Sequence, residues 1–471
     1  MFVKNSFEFD ARVTKEANTL IDTGHQVTVI ALHAPATTVP RETTSSGIEV
    51  IRVPRSHLGG PLFNRIARRY GTNIETRHSR LTGAQIDEDK IRQHSSIAPT
   101  STATPGDDTQ HVAAQHAGEV RDPTALSRAW AKTTTPILRV VPIAAKWVYT
   151  WLNRILGPLG RRIQQRAIDS RMVDAGLAVG AEVFHSHDLN TLRAGTTCKA
   201  QTPGARLVYD SHELQTERNR MTPKERQTAI ATEGRYLQEA DAMIVASPSW
   251  IEWNRRLYGS IPDPSVTIIN VPPVSDVEHS NLFRDELGID RSKAVLLYQG
   301  SIQENRGIEP AIEAVKLIED VVLVVVGYGH HKPVLEAQVA REGLQDKVLF
   351  YGAIPNQDLI RYSASADIGL ANIVNSSVSY HTSLPNELCE YAMADIPVIG
   401  SDSPEIGRIV REEAMGEVCD ADDPQDIASA IQRILSNPGR YSPGLERARE
   451  RYNWTVEGQK LTDLYSELAN G

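Results

Sequence analysis

Short apolar runs alternate with amphipathic helical segments throughout the second half of the chain. From Ala294 onward, runs such as AVLLYQG and VVLVVVG are each followed by a helical segment such as GIEPAIEAVKLI. Continuous apolar strands separated by helices are typical of a parallel sheet that helices cover on both faces. The pattern therefore predicts a doubly wound domain over residues 274–450, whose last clear helix begins at Asp423 or Pro424.

The first half of the chain shows the same alternation less regularly. Its strand-like runs are QVTVIAL, GIEVIRV, AEVFHS, ARLVYDS, DAMIVAS and SVTIIN, and FEFDARVTKEANTLIDTG predicts a helix that ends at Gly24. These runs predict a second doubly wound domain over residues 1–270. Pro272 and Pro273 lie between the two domains, where consecutive prolines suit a stiff hinge. The expected fold class is α/β, with two parallel-sheet domains that face each other across a cleft.

Both ends of the chain carry an expectation of their own. The residues Met1, Phe2 and Val3 have the character of a buried strand that has been cut short, so we expect the natural chain to begin upstream of Met1. Residues 451–471 are predicted to form a C-terminal helix that packs back on the N-terminal domain.

Two segments of the N-terminal domain depart from the alternation. Residues 71–123 are rich in Thr, Ser, Gln, His, Asp and Gly, which is typical of a mobile insertion. Residues 126–168 contain no Asp or Glu, and their basic and aromatic composition is typical of a surface that lies on an anionic bilayer. The alternative is a helix that packs on its own domain with its Lys and Arg in solvent. Lys and Arg interrupt every apolar run, which excludes a transmembrane span. The residues concerned are Arg128, Trp130, Lys132, Arg139, Lys146, Trp147, Tyr149, Trp151, Arg154, Arg161, Arg162 and Arg166.

Composition narrows the class of protein. The 471 residues carry a formal net charge of -9, which argues against a general nucleic-acid-binding protein. Cys198, Cys389 and Cys419 are far apart and form no metal-binding or redox spacing. Three widely spaced cysteines suit a reducing compartment, so we expect a cytoplasmic protein.

Glycine and arginine follow the first strand of the C-terminal domain. Gly300, Ser301 and Arg306 lie in the segment YQGSIQENRGIE, immediately before a helix. Glycine lets a ligand approach the backbone closely, a helix N-terminus attracts phosphate, and arginine supplies a bidentate cation. The segment therefore predicts a phosphate-binding loop, and a surface loop with a solvated arginine is the alternative.

A helix with two acids occupies the segment SLPNELCEYAMADIPVIGSD. Pro385 suits the first turn of a helix, so Ser383 and Leu384 lie where backbone N–H groups have no helical partner. Glu387 and Glu390 lie off the apolar face of that helix. Because a carboxylate can accept from two vicinal hydroxyls, this helix is a candidate for ribose binding. The alternative is a helix with two solvated acids.

Polar residues also end two strands of the N-terminal domain. The segment EVFHSHDLNTL places His185 and His187 on one side of a strand, and VYDSHELQTERN contributes Asp210, His212 and Glu213. Two histidines at this spacing suggest a metal, but no third ligand of matching context is evident. We therefore interpret these residues as polar strand ends in the cleft and predict no metal site.

A third polar group follows the opening residues of the chain. Asn5, Asp10 and Arg12 lie in NSFEFDARVTKEA, where a glycine-rich turn would indicate dinucleotide binding and none is present. The glycines of GYG, Gly327 and Gly329, are too few to form such a fingerprint. A dinucleotide-dependent oxidoreductase is therefore disfavoured.

Taken together, these segments resemble the retaining glycosyltransferases of family 4, which have the GT-B fold of two Rossmann-like domains. The matching segments are FDARVTKEANTLIDTGHQVTVIAL, VFHSHDLNTL, VYDSHEL, YQGSIQENRGIE, VVVGYG, YGAIPNQDLIRYSASADIGL and SLPNELCEYAMADIPVIGSD, in that order. The resemblance implies a nucleotide-diphosphate sugar as co-substrate, bound mainly by the C-terminal domain. It implies no cofactor, and arginine already supplies the cation that a metal would otherwise provide.

The resemblance also implies roles for individual residues. Glu390 is similar to the second glutamate of the family's E-x7-E motif, which holds the donor ribose. Ser383 and Leu384 would give backbone donors to the diphosphate, and Arg306 stands where the family has a cation on the leaving phosphates. His187 is similar to the family's active-site histidine near the transferred sugar. The acceptor-side or phosphate-binding residues would be Asn5, Asp10, Arg12, His212 and Glu213.

The chain departs from the family pattern at several positions. The first glutamate of E-x7-E would fall at Thr382, and the arginine often found after the phosphate-loop glycine is Ser301. Two alternatives therefore stay open, a sugar-nucleotide epimerase of the same fold and a non-catalytic sugar-nucleotide-binding protein. With a transferase, the basic segment 126–168 favours a glycan or lipid-linked acceptor at the inner leaflet of the cytoplasmic membrane.

Overall fold

The structure is a computed structural model that describes residues 1–8, 10–34, 38–55 and 163–470. The predicted insertion 71–123 and most of the basic segment 126–168 lie outside the described residues. Within the described residues, strands and helices alternate in two parallel-sheet domains, and the predicted α/β fold class is confirmed. No helix in these described ranges is both long enough and apolar enough to cross a bilayer.

The N-terminal sheet contains seven strands in two groups that the opening residues join. The strand order is β2-β3-β1 in one group and β4-β5-β6-β7 in the other. Phe2 forms parallel bridges to both Ile30 of β1 and Ser186 of β4, so the opening residues lie between the two groups. All pairs are parallel except β2 with β3. The strands are β1 (Thr28–His33), β2 (Arg41–Thr43), β3 (Glu49–Pro54), β4 (Val183–His187), β5 (Arg206–Ser211), β6 (Ala242–Val245) and β7 (Ser265–Thr267).

The C-terminal sheet has six parallel strands in the order β10-β9-β8-β11-β12-β13. The order reverses between β8 and β11, and an open parallel sheet binds its ligand in the crevice at such a point. The strands are β8 (Ala294–Gln299), β9 (Val321–Val326), β10 (Val348–Gly352), β11 (Ile368–Ala371), β12 (Val398–Ser401) and β13 (Gly416–Cys419).

Helices cover both sheets. In the N-terminal domain they span Ala11–Asp22, 163–179, Leu189–Gln201, Pro223–Leu237 and Ser249–Tyr258. In the C-terminal half they span Leu282–Leu287, Ile308–Lys316, Lys332–Glu342, Asn356–Ser363, Val378–His381, Asn386–Met393, Ile406–Glu413, Pro424–Ser436, Ser442–Arg451 and Trp454–Asn470, with a short 3-10 helix at Pro438–Tyr441.

The first helix begins later than the sequence pattern predicts. The pattern places its start near Phe7, but the structure begins it at Ala11. Asp10 is the N-cap, and its Oδ1 accepts from the backbone N–H of Val13 at 3.1 Å. An aspartate cap satisfies a helix-start donor and ends the preceding loop, so Phe7 stays in that loop next to the cleft.

The last helix, Trp454–Asn470, packs on the N-terminal domain although it follows the C-terminal one. Leu461 and Leu464 share a buried cluster with Val13 of the first helix. The backbone N–H of Trp454 donates to the carbonyl of Pro272 at 2.9 Å, so this helix also contacts the connection between the domains.

Candidate active site

The carboxyl ends of both sheets line one cleft of about 970 Å³. All of the predicted site residues line it except His187, which is buried and 2% exposed. The sequence pattern therefore brings together most of the residues that it singles out, although their roles stay predictions. The lining residues that were predicted are Asn5, Asp10, Arg12, His212, Glu213, Gly300, Ser301, Arg306, Ser383, Leu384, Glu387 and Glu390.

The loop after β8 is held against its neighbours by two glycines. Gly300 has φ +135°, and a Cβ there would lie 2.4 Å from Oε1 of Glu387. A Cβ on Gly327, which has the same φ, would lie 1.8 Å from the carbonyl oxygen of Gly300. Side chains at either position would therefore force the two loops apart. Ser301 lines the cleft, and its Oγ accepts from Nε2 of Gln303 at 2.8 Å.

Arg306 is a partly buried cation on the donor side of the cleft. Its guanidinium carbon lies 5.0 Å from the ring centroid of Tyr380. Its Nε is buried and has no hydrogen-bond partner among the described residues. Burial alone would lower the pKa of Arg306, but the nearby charge of Glu387 outweighs this and raises the pKa above its ordinary value. The group is therefore a permanent cation with donors to spare.

The helix Asn386–Met393 starts at the same wall of the cleft. Pro385 is its N-cap residue, and Ser383, Leu384 and Glu387 line the cleft with it. Backbone N–H groups in a first turn have no helical partner and carry the positive end of the helix dipole. Arg306 and this helix start thus form two sources of positive potential in one cleft.

Glu390 is held by a chain of hydrogen bonds that the sequence did not reveal. Its Oε2 accepts from Nε2 of Gln299 at 2.6 Å, and Oε1 of Gln299 accepts from Oγ of Ser363 at 2.6 Å. Burial and then the charge of Glu387 raise the pKa of Glu390 to about 7. The one available signal for Gln299 is that it is a polar residue at the end of an otherwise apolar strand.

A buried ion-pair network lies beneath the N-terminal wall of the cleft. The guanidinium of Arg12 donates from Nη2 to Oδ1 of Asp210 at 2.8 Å and from Nε to Oδ2 at 3.1 Å. Its Nη1 donates to the carbonyl of Ile268 at 2.9 Å. Glu16 lies 3.0 Å from the same Nε, and burial followed by the charge of Asp210 raises the pKa of Glu16 to about 8. The network therefore holds Asp210 in its charged form.

His185 and His187 stack on each other next to this network. Their ring centroids are 4.2 Å apart with an interplanar angle of 17°. Nδ1 of His187 lies 3.1 Å from Oδ2 of Asp210, and Nδ1 of His185 lies 2.9 Å from the hydroxyl of Tyr465. Burial lowers the pKa of His187 to about 4, so its ring is neutral at pH 7. His187 thus lies under the wall of the cleft and does not line it.

Glu16, His185, His187 and Asp210 have donor atoms that lie within 4.8 Å of one another, as metal ligands do. A metal ion binds a histidine nitrogen in the plane of its ring, and one ion cannot lie close to two stacked, nearly parallel ring planes. Both oxygens of Asp210 are also engaged by Arg12. In this arrangement the donors do not fit a metal, and the expectation that none is required stays a prediction.

His212 lies above the network and lines the cleft. Its Nε2 lies 2.8 Å from Oδ2 of Asp210, and its backbone N–H donates to Oδ1 of Asp188 at 3.2 Å. Burial would lower the pKa of His212, but the charges of Asp210 and Asp188 outweigh it and raise the pKa to about 9. The ring is therefore an imidazolium at neutral pH.

The other predicted acceptor-side residues are engaged with neighbours. Nδ2 of Asn5 donates to Oδ2 of Asp10 at 2.6 Å, so the helix cap is itself oriented. Glu213 forms an exposed ion pair with Arg218, whose Nε lies 2.9 Å from Oε2 of Glu213. These residues can offer carboxylate and amide oxygens to an acceptor at the cleft rim.

Thr382 explains one departure from the family pattern. Its Oγ1 accepts from the indole Nε1 of Trp250 at 3.0 Å, and its carbonyl accepts from Oγ of Ser247 at 2.7 Å. Trp250 and Ser247 belong to the N-terminal domain, so Thr382 contacts the opposite domain at a position that does not face the cleft. A carboxylate at this position would lie against the indole N–H and a buried hydroxyl.

Comparisons with known proteins agree with this architecture. The profile of the family described as glycosyl transferases group 1 matches residues 280–453. D-inositol 3-phosphate glycosyltransferase of Xylanimonas cellulosilytica is 25% identical over 306 residues, which is 61% of this chain and 72% of that protein. Sucrose-phosphate synthase of Thermosynechococcus elongatus superposes with a TM-score of 0.63 at 17% identity, covering 97% of this chain and 92% of that one.

A second solved structure is that of Anabaena HepE in complex with UDP-glucose. It superposes with a TM-score of 0.54 at 16% identity, covering 64% of this chain and 82% of that one. Neighbours at this level of identity share the fold, and the family match locates the conserved domain in the half that carries Arg306 and Glu390. Residues 280–453 form a glycosyl transferases group 1 domain, and the chain is a glycosyltransferase of the GT-B fold.

Proposed function

We propose that the protein is a retaining glycosyltransferase of family 4 that transfers a hexosyl group from a nucleotide-diphosphate sugar to a glycan or lipid-linked acceptor. The observation that carries this proposal is the meeting of Arg306, the start of helix Asn386–Met393 and Glu390 in one cleft. Cation and helix start suit a diphosphate, and a carboxylate beside them suits a ribose. That HepE binds UDP-glucose makes UDP-glucose the first donor to test.

In the proposed reaction, the bond from the anomeric carbon to the phosphate oxygen breaks as the bond to the acceptor oxygen forms on the same face. The leaving diphosphate gains negative charge, which Arg306 and the helix start stabilise. The proton of the acceptor hydroxyl passes to an oxygen of the leaving phosphate, so no carboxylate base is required. The products are the glycoside with its configuration retained and a nucleoside diphosphate.

Contacts between the two domains would keep water from the bound donor. Thr382 bonds to Trp250 and Ser247, and Oε1 of Glu405 accepts from the backbone N–H of Ser249 at 2.9 Å. Closing the cleft in this way excludes water that would otherwise hydrolyse the donor.

A panel of nucleotide sugars tests the proposal directly. We expect UDP-, GDP- or ADP-linked sugars to raise the melting temperature, because a ligand at about 100 times its Kd stabilises the folded protein by about 2.7 kcal/mol. The donor found in this way should be consumed only when an acceptor or water takes the sugar. Interconversion of the donor without loss of nucleotide would indicate an epimerase, and binding without consumption across many acceptors would indicate a non-catalytic protein.

Donor affinity is expected to fall as the pH decreases below 7. Ribose hydroxyls donate to the ionised form of Glu390, whose pKa is about 7 in the free protein. Protonation at lower pH removes that acceptor, so the Kd of UDP should rise by up to about tenfold for each pH unit below 7. Calorimetry from pH 5.5 to 8 measures this slope.

Glu390→Gln is the matched control for the pH dependence, because UDP itself also titrates near pH 6. The variant keeps that phosphate titration and loses the carboxylate, so its slope should be shallower than that of the wild type. Identical slopes in the two proteins would exclude Glu390 as the titrating contact.

We further propose that the basic segment 126–168 holds the enzyme on an anionic bilayer, where a lipid-linked acceptor would be found. Arg161→Glu combined with Arg162→Glu should lower co-sedimentation with phosphatidylglycerol vesicles severalfold, because each basic residue near such a surface contributes about 1 kcal/mol. Arg255→Glu combined with Arg256→Glu, on an exposed helix of the described structure, is the control with the same change of charge. Equal sedimentation of the two double variants would reject the membrane role.

A further inference from the structure

His212 and His187 exchange the positions that the family resemblance would give them. The resemblance assigns the histidine near the transferred sugar to His187, but that ring is buried and does not line the cleft. The side chain of His212 is 20% exposed and does line it. The two ring centroids are 5.2 Å apart, so His212 lies between His187 and the space that a substrate would occupy.

The hydrogen bonds of His212 leave one donor for a ligand. Nε2 is anchored on Oδ2 of the buried Asp210 at 2.8 Å. Nδ1 lies 3.8 Å from Oδ2 of Asp188, which is too far for a hydrogen bond. An imidazolium has an N–H at both nitrogens, so the Nδ1–H remains available at the cleft wall.

The backbone below His212 is strained in a way that fixes its place. Asp188 has φ 65° and ψ 159°, a combination that is almost confined to glycine. Its Oδ1 accepts from the backbone N–H of His212 at 3.2 Å and from Nε2 of Gln215 at 3.0 Å. Strain of this kind persists where the surroundings require it, and here it places a carboxylate under the His212 loop.

We propose that His212 is the histidine of this cleft that contacts substrate, and that its Nδ1–H binds a phosphate oxygen. The inference rests on the proposed function, since it needs a phosphate-bearing substrate in the cleft. A charge-assisted bond from an imidazolium is strongest to an ionised oxygen, and a ring that keeps its proton at neutral pH cannot act as the base. The phosphate is that of the donor diphosphate or one carried by the acceptor. His187, by contrast, is a positioning residue that supports Asp210.

Histidine NMR with 13C-labelled imidazoles tests the contact without relying on activity. The His212 signal is identified by its loss in His212→Gln. UDP is added first, and inorganic phosphate is then added to UDP-saturated protein. A shift of the His212 signal with UDP assigns the donor diphosphate, and a shift only with phosphate assigns an acceptor phosphate. No shift with either probe overturns the inference.

Failure of the proposed function gives a different result in the same experiment. If no nucleoside diphosphate or nucleotide sugar binds, the proposed function fails. If UDP binds and the signals of other cleft residues move while that of His212 does not respond to UDP or to phosphate, only the inference about His212 fails.

Two substitutions separate the two nitrogens of His212 in a kinetic assay. The amide nitrogen of Asn lies near the position of Nδ1, and that of Gln lies near Nε2. His212→Gln keeps the anchor on Asp210 but loses the donor at Nδ1, so kcat/KM should fall about 10- to 100-fold. His212→Asn keeps a donor at Nδ1 and should lose less. The reverse order, or equal losses, contradicts the proposal.

The pH profile provides a readout that a structural role would not move. The groups that face His212 are Asp210 on β5, Asp188 and His187 at the end of β4, and Arg12 on the first helix. Loss of the imidazolium proton should lower kcat/KM in the wild type as the pH rises through about 9. His212→Gln should lack this decrease, and a wild-type profile that stays flat to pH 10 would contradict the assignment.

Discussion

Replacing Arg306 with alanine is expected to lower turnover about 100-fold. The guanidinium is partly buried in the cleft, keeps its charge, and has an Nε without a partner among the described residues. Preorganised donors of this kind act on the charge that develops in the transition state, so the loss should appear mainly in kcat. Steady-state release of nucleoside diphosphate from the donor measures it.

Arg306→Lys and Arg361→Ala are the controls for this prediction. Lysine keeps the charge but loses the planar fork, so an intermediate loss is expected. Arg361 is an exposed arginine on the same domain, 61% exposed beside Asp358, and its removal should leave turnover unchanged. Wild-type turnover in Arg306→Ala would remove the residue from the mechanism.

Replacing Arg12 with methionine is expected to lower the free energy of unfolding by about 3–5 kcal/mol. Arg12 is buried and holds both oxygens of the buried Asp210, which would otherwise be left charged without its main partner. The double variant Arg12→Met with Asp210→Asn removes the unpaired charge and should recover a large part of the loss. Urea unfolding at pH 7 measures each value.

An exposed ion pair provides the contrast to the buried one. Arg41 pairs with Glu49 at the surface of the same domain. Exposed pairs contribute little because solvent screens them, so Arg41→Met should have a much smaller effect than Arg12→Met. Similar effects of the two substitutions, or no recovery in the double variant, would contradict the account of the network.

The fold could be predicted because burial on both faces leaves a direct mark on the sequence. Val321–Val326 is six buried residues in succession, and no alternation is possible in a strand that helices cover on both sides. The order of such runs and helices was enough for two parallel sheets. The start of the first helix was predicted wrongly, because the cap at Asp10 depends on a loop conformation that periodicity does not encode.

The candidate site could be predicted only where residues lie at strand ends or helix starts. Arg12 and Asp210 are 198 positions apart, and no local pattern indicates that they pair. Gln299 and Glu390 are 91 positions apart, and their contact likewise depends on the packing of a helix against β8. Which histidine lines the cleft was also beyond the pattern, since both follow buried strands and only the depth of each loop separates them.

The most direct test of the central claim is a crystal structure with the nucleotide sugar that gives the largest thermal shift. The account predicts that the diphosphate lies about 3 Å from the Arg306 guanidinium and from backbone N–H groups at the start of helix Asn386–Met393. A diphosphate bound away from both features would contradict it.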